Sequence, residues 1–215
     1  MLCLKTNQIQ KEKKIKAEGK LNKIFIIIIF FSLCFISPSQ ADNIRDFQIE
    51  GISIGDSALD YIDKDKLISK KKDWFKSNKY SISADFEDFE LDFLKTYDGL
   101  QFVYLTNDNE FKLHGIEALK FFKDNVKECY SELDSIAFEI SKLFETAKLS
   151  KSNSYRHRGD KLGKTMIMTR SLRMLNGDTI AISCYDWSKE IGYWDQLRIS
   201  LRKNEYINFL INDAY

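Results

Sequence analysis

Tyr80-Ser81-Ile82-Ser83-Ala84-Asp85-Phe86 alternates apolar and polar side chains one for one, which is the period of a half-buried β-strand. Three later segments repeat this period: Phe89 to Phe93, Leu100 to Tyr104, and Phe111 to Leu113. Asp98-Gly99 and Asn107-Asp108-Asn109, which lie between them, have the composition of turns. The sequence therefore predicts a four-stranded antiparallel meander with one apolar face that another element must cover.

An amphipathic helix downstream supplies that cover. Apolar residues recur at steps of three and four from Asp124 to about Thr146, and Cys129 lies within their stripe. A second, three-stranded meander follows. Its predicted strands are Lys164 to Leu175, the return strand with Ile180, Ile182 and Cys184 after the hairpin signal Asn176-Gly177, and Tyr193 to Leu201. A short terminal helix around Tyr206 completes the chain.

Two short helices precede the first meander. Asp56 or Ser57 is placed to cap the first helix, and Asp63 is placed to cap the second. The lysines at 70 to 72 lie at the end of the second helix, where positive charge interacts favourably with the helix dipole. The predicted fold class is therefore α+β, with antiparallel meanders packed against amphipathic helices after an N-terminal signal peptide.

The signal peptide is predicted from the apolar run Ile24–Ile36, which follows Lys20 and Lys23. As a helix this run spans roughly 20 Å, too short for a hydrocarbon core of about 30 Å. Small residues Ser39 and Ala41 predict cleavage before Asp42. We expect residues 1–41 to be a signal peptide with a basic extension and residues 42–215 an exported domain, periplasmic or secreted, with possible sub-units 42–122 and 123–215. An uncleaved membrane anchor through the same run is the alternative.

Charge argues against one class of function. The chain has 33 Lys and Arg against 32 Asp and Glu; residues 1–41 hold seven and two of these, so the remainder has a formal charge of −4. We therefore expect no nucleic-acid partner. Lys148–Arg173 is the exception, with eight basic residues against Asp160 alone. It is either a solvated loop lying on the chain's own acidic face or a patch for an anionic lipid surface or an envelope protein.

Export also determines how the cysteines are interpreted. Cys129 and Cys184 are the two cysteines that remain when the leader is removed, and in an oxidising compartment such a pair predicts one disulfide. Both predicted elements turn their cysteine toward the core, so the two sulfurs can meet where the helix packs on the sheet. The alternative is two reduced core cysteines.

One serine has a catalytic reading. Gly55-Asp56-Ser57-Ala58-Leu59 resembles the opening block of GDSL-type esterases, which would make Ser57 the nucleophile. The later blocks of that family do not match, because Asn107-Asp108 lacks the preceding glycine and neither His114 nor His157 follows an aspartate by three residues. A serine esterase is therefore an alternative function. Both histidines suit solvated side chains, and the sequence predicts no metal and no cofactor.

An aromatic cluster in the last hairpin is the candidate binding surface. Tyr185, Trp187, Tyr193 and Trp194 either pack between strands at the edge of the core or form a stacking platform for a sugar or peptide. The predicted surface consists of Trp187, Trp194, Tyr193, Arg156 and Arg158.

A family resemblance fits the predicted fold. Ile49-Glu50-Gly51-Ile52-Ser53-Ile54-Gly55-Asp56-Ser57, followed by Leu59, resembles the opening of BamE-like (SmpA/OmlA) and β-lactamase-inhibitor-protein-like modules. That resemblance implies two short helices before an antiparallel meander and a role in binding or envelope assembly. The stretch around Asp46 to Tyr61 also resembles uncharacterised exported proteins of marine alphaproteobacteria. The sequence favours a non-catalytic binding or envelope-associated structural module.

Overall fold

The computed structural model describes residues 43–123, 125–144 and 146–215, which belong to one compact unit. The predicted signal peptide, with its apolar run Ile24–Ile36, lies outside the described residues. Within the described ranges, no helix combines the length and the apolar character that crossing a bilayer requires.

The described part of the chain forms one antiparallel sheet of nine strands with three α-helices. The strands are β1 (Lys71–Lys72), β2 (Tyr80–Glu87), β3 (Gly99–Leu105), β4 (Leu113–Lys123), β5 (Lys148–Leu149), β6 (Asn153–Arg156), β7 (Met166–Arg173), β8 (Thr179–Asp186) and β9 (Asp195–Arg202). The helices are α1 (Lys64–Ser69), α2 (Val126–Ser141) and α3 (Asn204–Asn212). Short 3₁₀ helices cover Ile44–Asp46, Ala58–Asp60 and Asp88–Glu90. The protein is therefore α+β.

The strands lie in the order β1-β2-β3-β4-β9-β8-β7-β5, with β6 next to β5 along the same side of β7. The central pair β4–β9 joins the two predicted meanders into one sheet, with Gly115 opposite Arg202 at one end and Lys123 opposite Asp195 at the other. The sheet therefore exposes its edges at β1 and at the β5–β6 segment.

The second meander has the predicted order of strands and turns. Asn176-Gly177 connects β7 to β8, and Gly177 has a φ of +88°. A Cβ at this glycine would lie 2.6 Å from Cγ of Asn204, so both the backbone and the space require glycine there.

The first meander differs from its prediction in one strand. Phe89 to Phe93 is not a strand, because Glu87 and Glu90 form a reciprocal capping box that folds Asp88–Glu90 into a 3₁₀ turn. Phe89 is 77% exposed, so the alternating pattern at this position does not reflect a core contact. The predicted turn at Asp98-Gly99 is likewise wrong, since Gly99 begins β3.

Other element boundaries also differ from their predicted positions. The strand predicted at Phe111 to Leu113 begins later and is longer, because β4 runs from Leu113 to Lys123. The covering helix is shorter than predicted, and Lys71–Lys72 are in strand β1 rather than at a helix end. Asp63 takes the N-cap position of α1 without a side-chain capping bond.

One face of the sheet packs on the main core, which α2 covers at β7, β8 and β9. Cys129 of α2 and Cys184 of β8 are both fully buried there and form a disulfide with their Cα atoms 5.9 Å apart. The predicted bridge is therefore confirmed, and it ties the helix to the centre of the second meander.

The opposite face has a smaller apolar cover. Tyr206 and Phe209 of α3 pack on Tyr80, Ile82 and Val103, at the β2–β4 side of the sheet. The part of this face formed by β9, β8, β7 and β6 lies beside that cover, and it is lined mostly by polar and aromatic side chains.

Candidate functional site

The registers of neighbouring strands define the side chains of this second face, because alternate residues point to the same side of a sheet. We call it the polar face. Its rows are Gln101, Glu117, Ser200, Ala181 and Ser171; then Leu119, Arg198, Ser183 and Thr169; then Phe121, Gln196, Tyr185, Ile167 and Tyr155. Polar groups at the centre thus give way to aromatic groups at one end.

A charged cluster occupies the centre of the polar face. Glu117 is 5% exposed, and its carboxylate accepts hydrogen bonds from Arg202 and, at 3.2 Å, from Nη1 of Arg198. Burial alone would raise the pKa of Glu117, but the two guanidinium groups outweigh it and hold the pKa below its usual value. The cluster is therefore charged, with one carboxylate shared between two cations.

Arg198 connects this cluster to the aromatic end. Its guanidinium lies 4.3 Å from the centre of the Tyr185 ring, which is a cation–π distance. With the Gln196 amide oriented to match its neighbours, its oxygen accepts from Arg198 Nη2 at 2.9 Å and from Trp187 Nε1 at 2.7 Å. Arg198 is therefore fixed on three sides, by a carboxylate, an amide and a ring.

Four rings in contact form what we call the aromatic platform: His157, Tyr185, Trp187 and Tyr193. Trp187 is central, with ring centroids 5.5 Å from Tyr185 in a stacked arrangement and 5.0 Å from both His157 and Tyr193. Tyr185 is buried beneath its neighbours, whereas Tyr193 is 62% exposed. The platform therefore has a packed base and a solvent-facing ring.

Asp160 builds the loop that brings His157 to the platform. Its carboxylate accepts hydrogen bonds from the backbone amides of Leu162, Lys164 and Thr165, and those bonds, led by the one from Thr165, lower its pKa to about 2. His157 pairs with Thr165 through its backbone amide. Asp160 is therefore a structural element of this loop.

His157 is neutral in this arrangement. Its Nδ1 accepts a hydrogen bond from the amide of Gly159 at 3.1 Å, which requires an unprotonated nitrogen. Burial and the nearby charge of Arg198 lower its pKa. The expectation of solvated histidines is wrong for His114 also, because that side chain is buried against Tyr80, with ring centroids 5.3 Å apart.

The predicted binding residues fall into three places. Trp187 and Tyr193 meet in the platform, while Trp194 is turned toward Phe121 of β4, with centroids 5.7 Å apart. Arg156 is exposed on β6 and Arg158 in the loop after it, so they flank His157 rather than face the rings directly.

The basic segment Lys148–Arg173 is not a solvated loop. It contributes β5, β6 and β7 to the sheet, and Arg170 pairs with Asp134 of α2 at 2.9 Å. Its course along the sheet is what carries His157 and Tyr155 to the aromatic end.

Ser57 has a structural environment. Its hydroxyl donates to the carbonyl of Glu110 at 2.5 Å and accepts from the amide of Leu59 at 3.2 Å, so it caps the 3₁₀ helix Ala58–Asp60. The imidazoles of His114 and His157 have their contacts elsewhere, with Tyr80 and with Trp187.

Sequence reasoning missed the charged cluster and the role of His157. One signal was present: Gln196, Arg198, Ser200 and Arg202 alternate with the apolar face of β9 and show that its other side is polar. The pairing with Glu117 has no local signal, because Arg198 and Arg202 lie 81 and 85 residues away in the chain.

Comparison of the chain with protein-family models, with curated proteins and with solved structures finds no match. Its function is therefore inferred from the chemistry of the polar face.

Proposed function

We propose that this chain is an exported, non-catalytic binding module whose ligand surface is the aromatic platform. The observation that supports it most is the packing of Tyr193 on Trp187, which leaves the tyrosine 62% exposed on a packed aromatic base. Exposed rings on a rigid base bind flat apolar surfaces at a small cost in conformational entropy. A sugar ring presents such a surface on one of its faces.

The base of the platform supports a binding role because its members are held by separate elements. The amide of Trp187 donates to Asp195 at 3.0 Å, and the next amide, of Ser188, donates to Thr165 at 3.1 Å. A site held from several directions is preorganised, so less ordering is required when the ligand binds.

Tryptophan fluorescence provides a direct test. The chain has three tryptophans, and Trp74 lies away from the platform, between β1 and β2. In a Trp74→Phe background, all the tryptophan emission comes from Trp187 and Trp194. We expect chitohexaose or maltoheptaose to shift that emission, and we expect Tyr193→Ala to weaken binding by about tenfold or more, as loss of one stacking ring does.

Two results would count against the proposal. Emission that is unchanged by either oligosaccharide at millimolar concentration would remove the sugar ligand, and a response only to unstructured peptides would move the proposal to a peptide ligand. Binding that is equally strong in Tyr193→Ala and in the parent would place the ligand elsewhere.

Export is the second part of the proposal. The short apolar run Ile24–Ile36 and the disulfide between Cys129 and Cys184 both favour an oxidising compartment. Cell fractionation and N-terminal sequencing of the mature protein test it. A new N-terminus at Asp42 in the periplasmic or secreted fraction is expected, whereas an intact N-terminus in the membrane fraction would favour the anchored form.

A further inference from the structure

The segment after α2 carries a row of exposed cations. We call it the cationic edge, and its members are Lys148, Lys151, Arg156, Arg158, Lys161 and Arg173. All six are exposed, and none forms an ion pair with another residue in the described ranges. The two remaining basic residues of the segment are paired, Lys164 with Glu190 and Arg170 with Asp134.

The one carboxylate in this segment does not neutralise the edge. Asp160 is turned toward the amides of its own loop, from which it accepts the bonds that close the turn. The cationic edge is therefore a local positive field on a domain that is acidic elsewhere.

The edge is continuous with the aromatic platform. His157 stands between Arg156 and Arg158 in the chain, and its ring lies 5.0 Å from Trp187. Tyr155, next to Arg156, is 44% exposed and lies in the same row of the polar face as Tyr185. The platform and the cationic edge therefore adjoin at His157, with Arg156 on the other face of β6 from Tyr155.

The shape of the edge favours an elongated ligand. Lys148 lies opposite Arg173 and Arg156 opposite Met166, so the edge follows the whole of β7, a length of roughly 23 Å at the strand rise per residue. Two surface hollows, of about 410 and 140 Å³, lie at the opposite edge of the sheet near Asn78 and do not touch the platform. A stripe of charge matches a chain of repeating acidic units better than it matches a planar membrane.

We infer that the ligand is an acidic polysaccharide, with a sugar ring on the aromatic platform and neighbouring carboxylates on the cationic edge. This inference rests on the proposed function, because the platform supplies the ring contact. The cations provide attraction that depends on salt, and the rings provide contact that does not.

The experiment compares an acidic probe with a neutral one in the Trp74→Phe background. We expect polygalacturonate to bind at least tenfold more tightly than chitohexaose at low salt. In Arg156→Glu/Arg158→Glu, the affinity for polygalacturonate is expected to fall at least tenfold. The slope of log affinity against log salt concentration is expected to fall by about two, one for each cation lost. Binding of chitohexaose is expected to change little.

A matched control separates local charge from net charge. Lys71→Glu/Lys76→Glu changes the net charge by the same amount at the opposite edge of the sheet, where both lysines are exposed. We expect this variant to bind polygalacturonate like the parent. Equal losses in both double variants would overturn the inference, since only the total charge would then matter.

The remaining outcomes are distinguishable. Equal affinity for polygalacturonate and chitohexaose overturns the acidic ligand while the proposed function stands. Binding of neither probe overturns the acidic ligand, and if maltoheptaose does not bind either, the sugar ligand of the proposed function is also removed. Tighter binding to single-stranded oligonucleotides, or to vesicles containing one quarter phosphatidylglycerol, than to polygalacturonate overturns the inference in favour of a nucleic acid or a lipid surface.

Discussion

The disulfide between Cys129 and Cys184 gives the most quantitative prediction. Reduction of this bond leaves the sequence and the packing otherwise unchanged. The two cysteines are 55 residues apart, and for a loop of that length the chain-entropy relation gives about 14 cal/mol/K. At 25 °C this corresponds to about 4 kcal/mol of stability that the bridge contributes by restricting the unfolded chain.

The assay is urea unfolding followed by circular dichroism, with and without dithiothreitol. Because the slope for a domain of this size is roughly 2 kcal/mol per molar urea, reduction is expected to lower the midpoint by about 2 M. The variant Cys129→Ala/Cys184→Ala is the control, since its urea midpoint is expected to be the same with and without the reductant. It will also lie at or below that of the reduced protein, because two fully buried sulfurs are lost.

A reduced protein whose urea midpoint lies within about 0.5 M of that of the oxidised protein would contradict the predicted stabilisation. The same conclusion would follow if a thiol-alkylating reagent modified two cysteines in the purified protein under non-reducing conditions. In that case α2 would be held on β8 by packing alone.

Three further predictions concern the buried carboxylate Glu117, the loop carboxylate Asp160 and the two histidines. Glu117→Gln leaves Arg198 and Arg202 facing each other without a counter-charge, so we expect a loss of about 3 kcal/mol in the free energy of unfolding, measured by urea titration. Asp160→Asn removes one of the oxygens that close the His157 loop, so hydrogen exchange at the Leu162, Lys164 and Thr165 amides should speed up while exchange in α2 stays unchanged. The third is a dependence on pH. His114 and His157 have lowered pKa values in the folded protein, chiefly through burial, so the unfolded chain takes up protons first as pH falls through about 6.5, and stability is expected to decrease from pH 8 to pH 6.

Each of these has a control in the chain. For Glu117, the exposed Glu110→Gln should change stability by less than about 0.5 kcal/mol, and a similar small effect at Glu117 would contradict a buried charge cluster. For Asp160, unchanged exchange at all three amides would mean that the loop closes without the aspartate. For the histidines, His157→Gln should flatten the pH profile, and an undiminished slope in that variant would exclude His157 as a contributor.

The parts of the fold that could be predicted are those with local signals. The hairpin at Asn176-Gly177 combines a turn pair with alternating strands on both sides, so β7 and β8 are determined over a short distance. Strand β4 could not be recognised, because it lies at the centre of the sheet and Leu113 to Ala118 are buried on both faces. Burial on both sides removes the alternation on which strand prediction depends.

The alternating segment at Phe89 failed for the opposite reason. Its pattern has the period of a strand, but Glu87 and Glu90 offer the backbone a competing set of hydrogen bonds, and Lys70 pairs with Glu90 at 2.8 Å. Local side-chain bonds to the backbone therefore outweighed the apolar period.

The candidate site was predicted only in part for a geometric reason. Trp187 and Tyr193 are close in the chain, so the last hairpin brings them together, and their neighbourhood could be inferred. His157 reaches them from a segment that pairs with β7 on the side away from β8. Such a contact depends on strand order, which composition and spacing do not determine.

The exposed rings of the polar face have a consequence for how the sheet is covered. Tyr185 is already sealed at 8% exposure by the guanidinium of Arg198 and the ring of Trp187, so the sheet beneath needs no further apolar cover. Tyr193 lies outside that seal, and Trp194 is 54% exposed against Phe121. Large aromatic side chains left in solvent contribute little to packing, because most of their apolar surface remains in contact with water. Packing therefore accounts for Tyr185 and Trp187 but not for the aromatic character of Tyr193, which is why the proposed ligand surface is placed there.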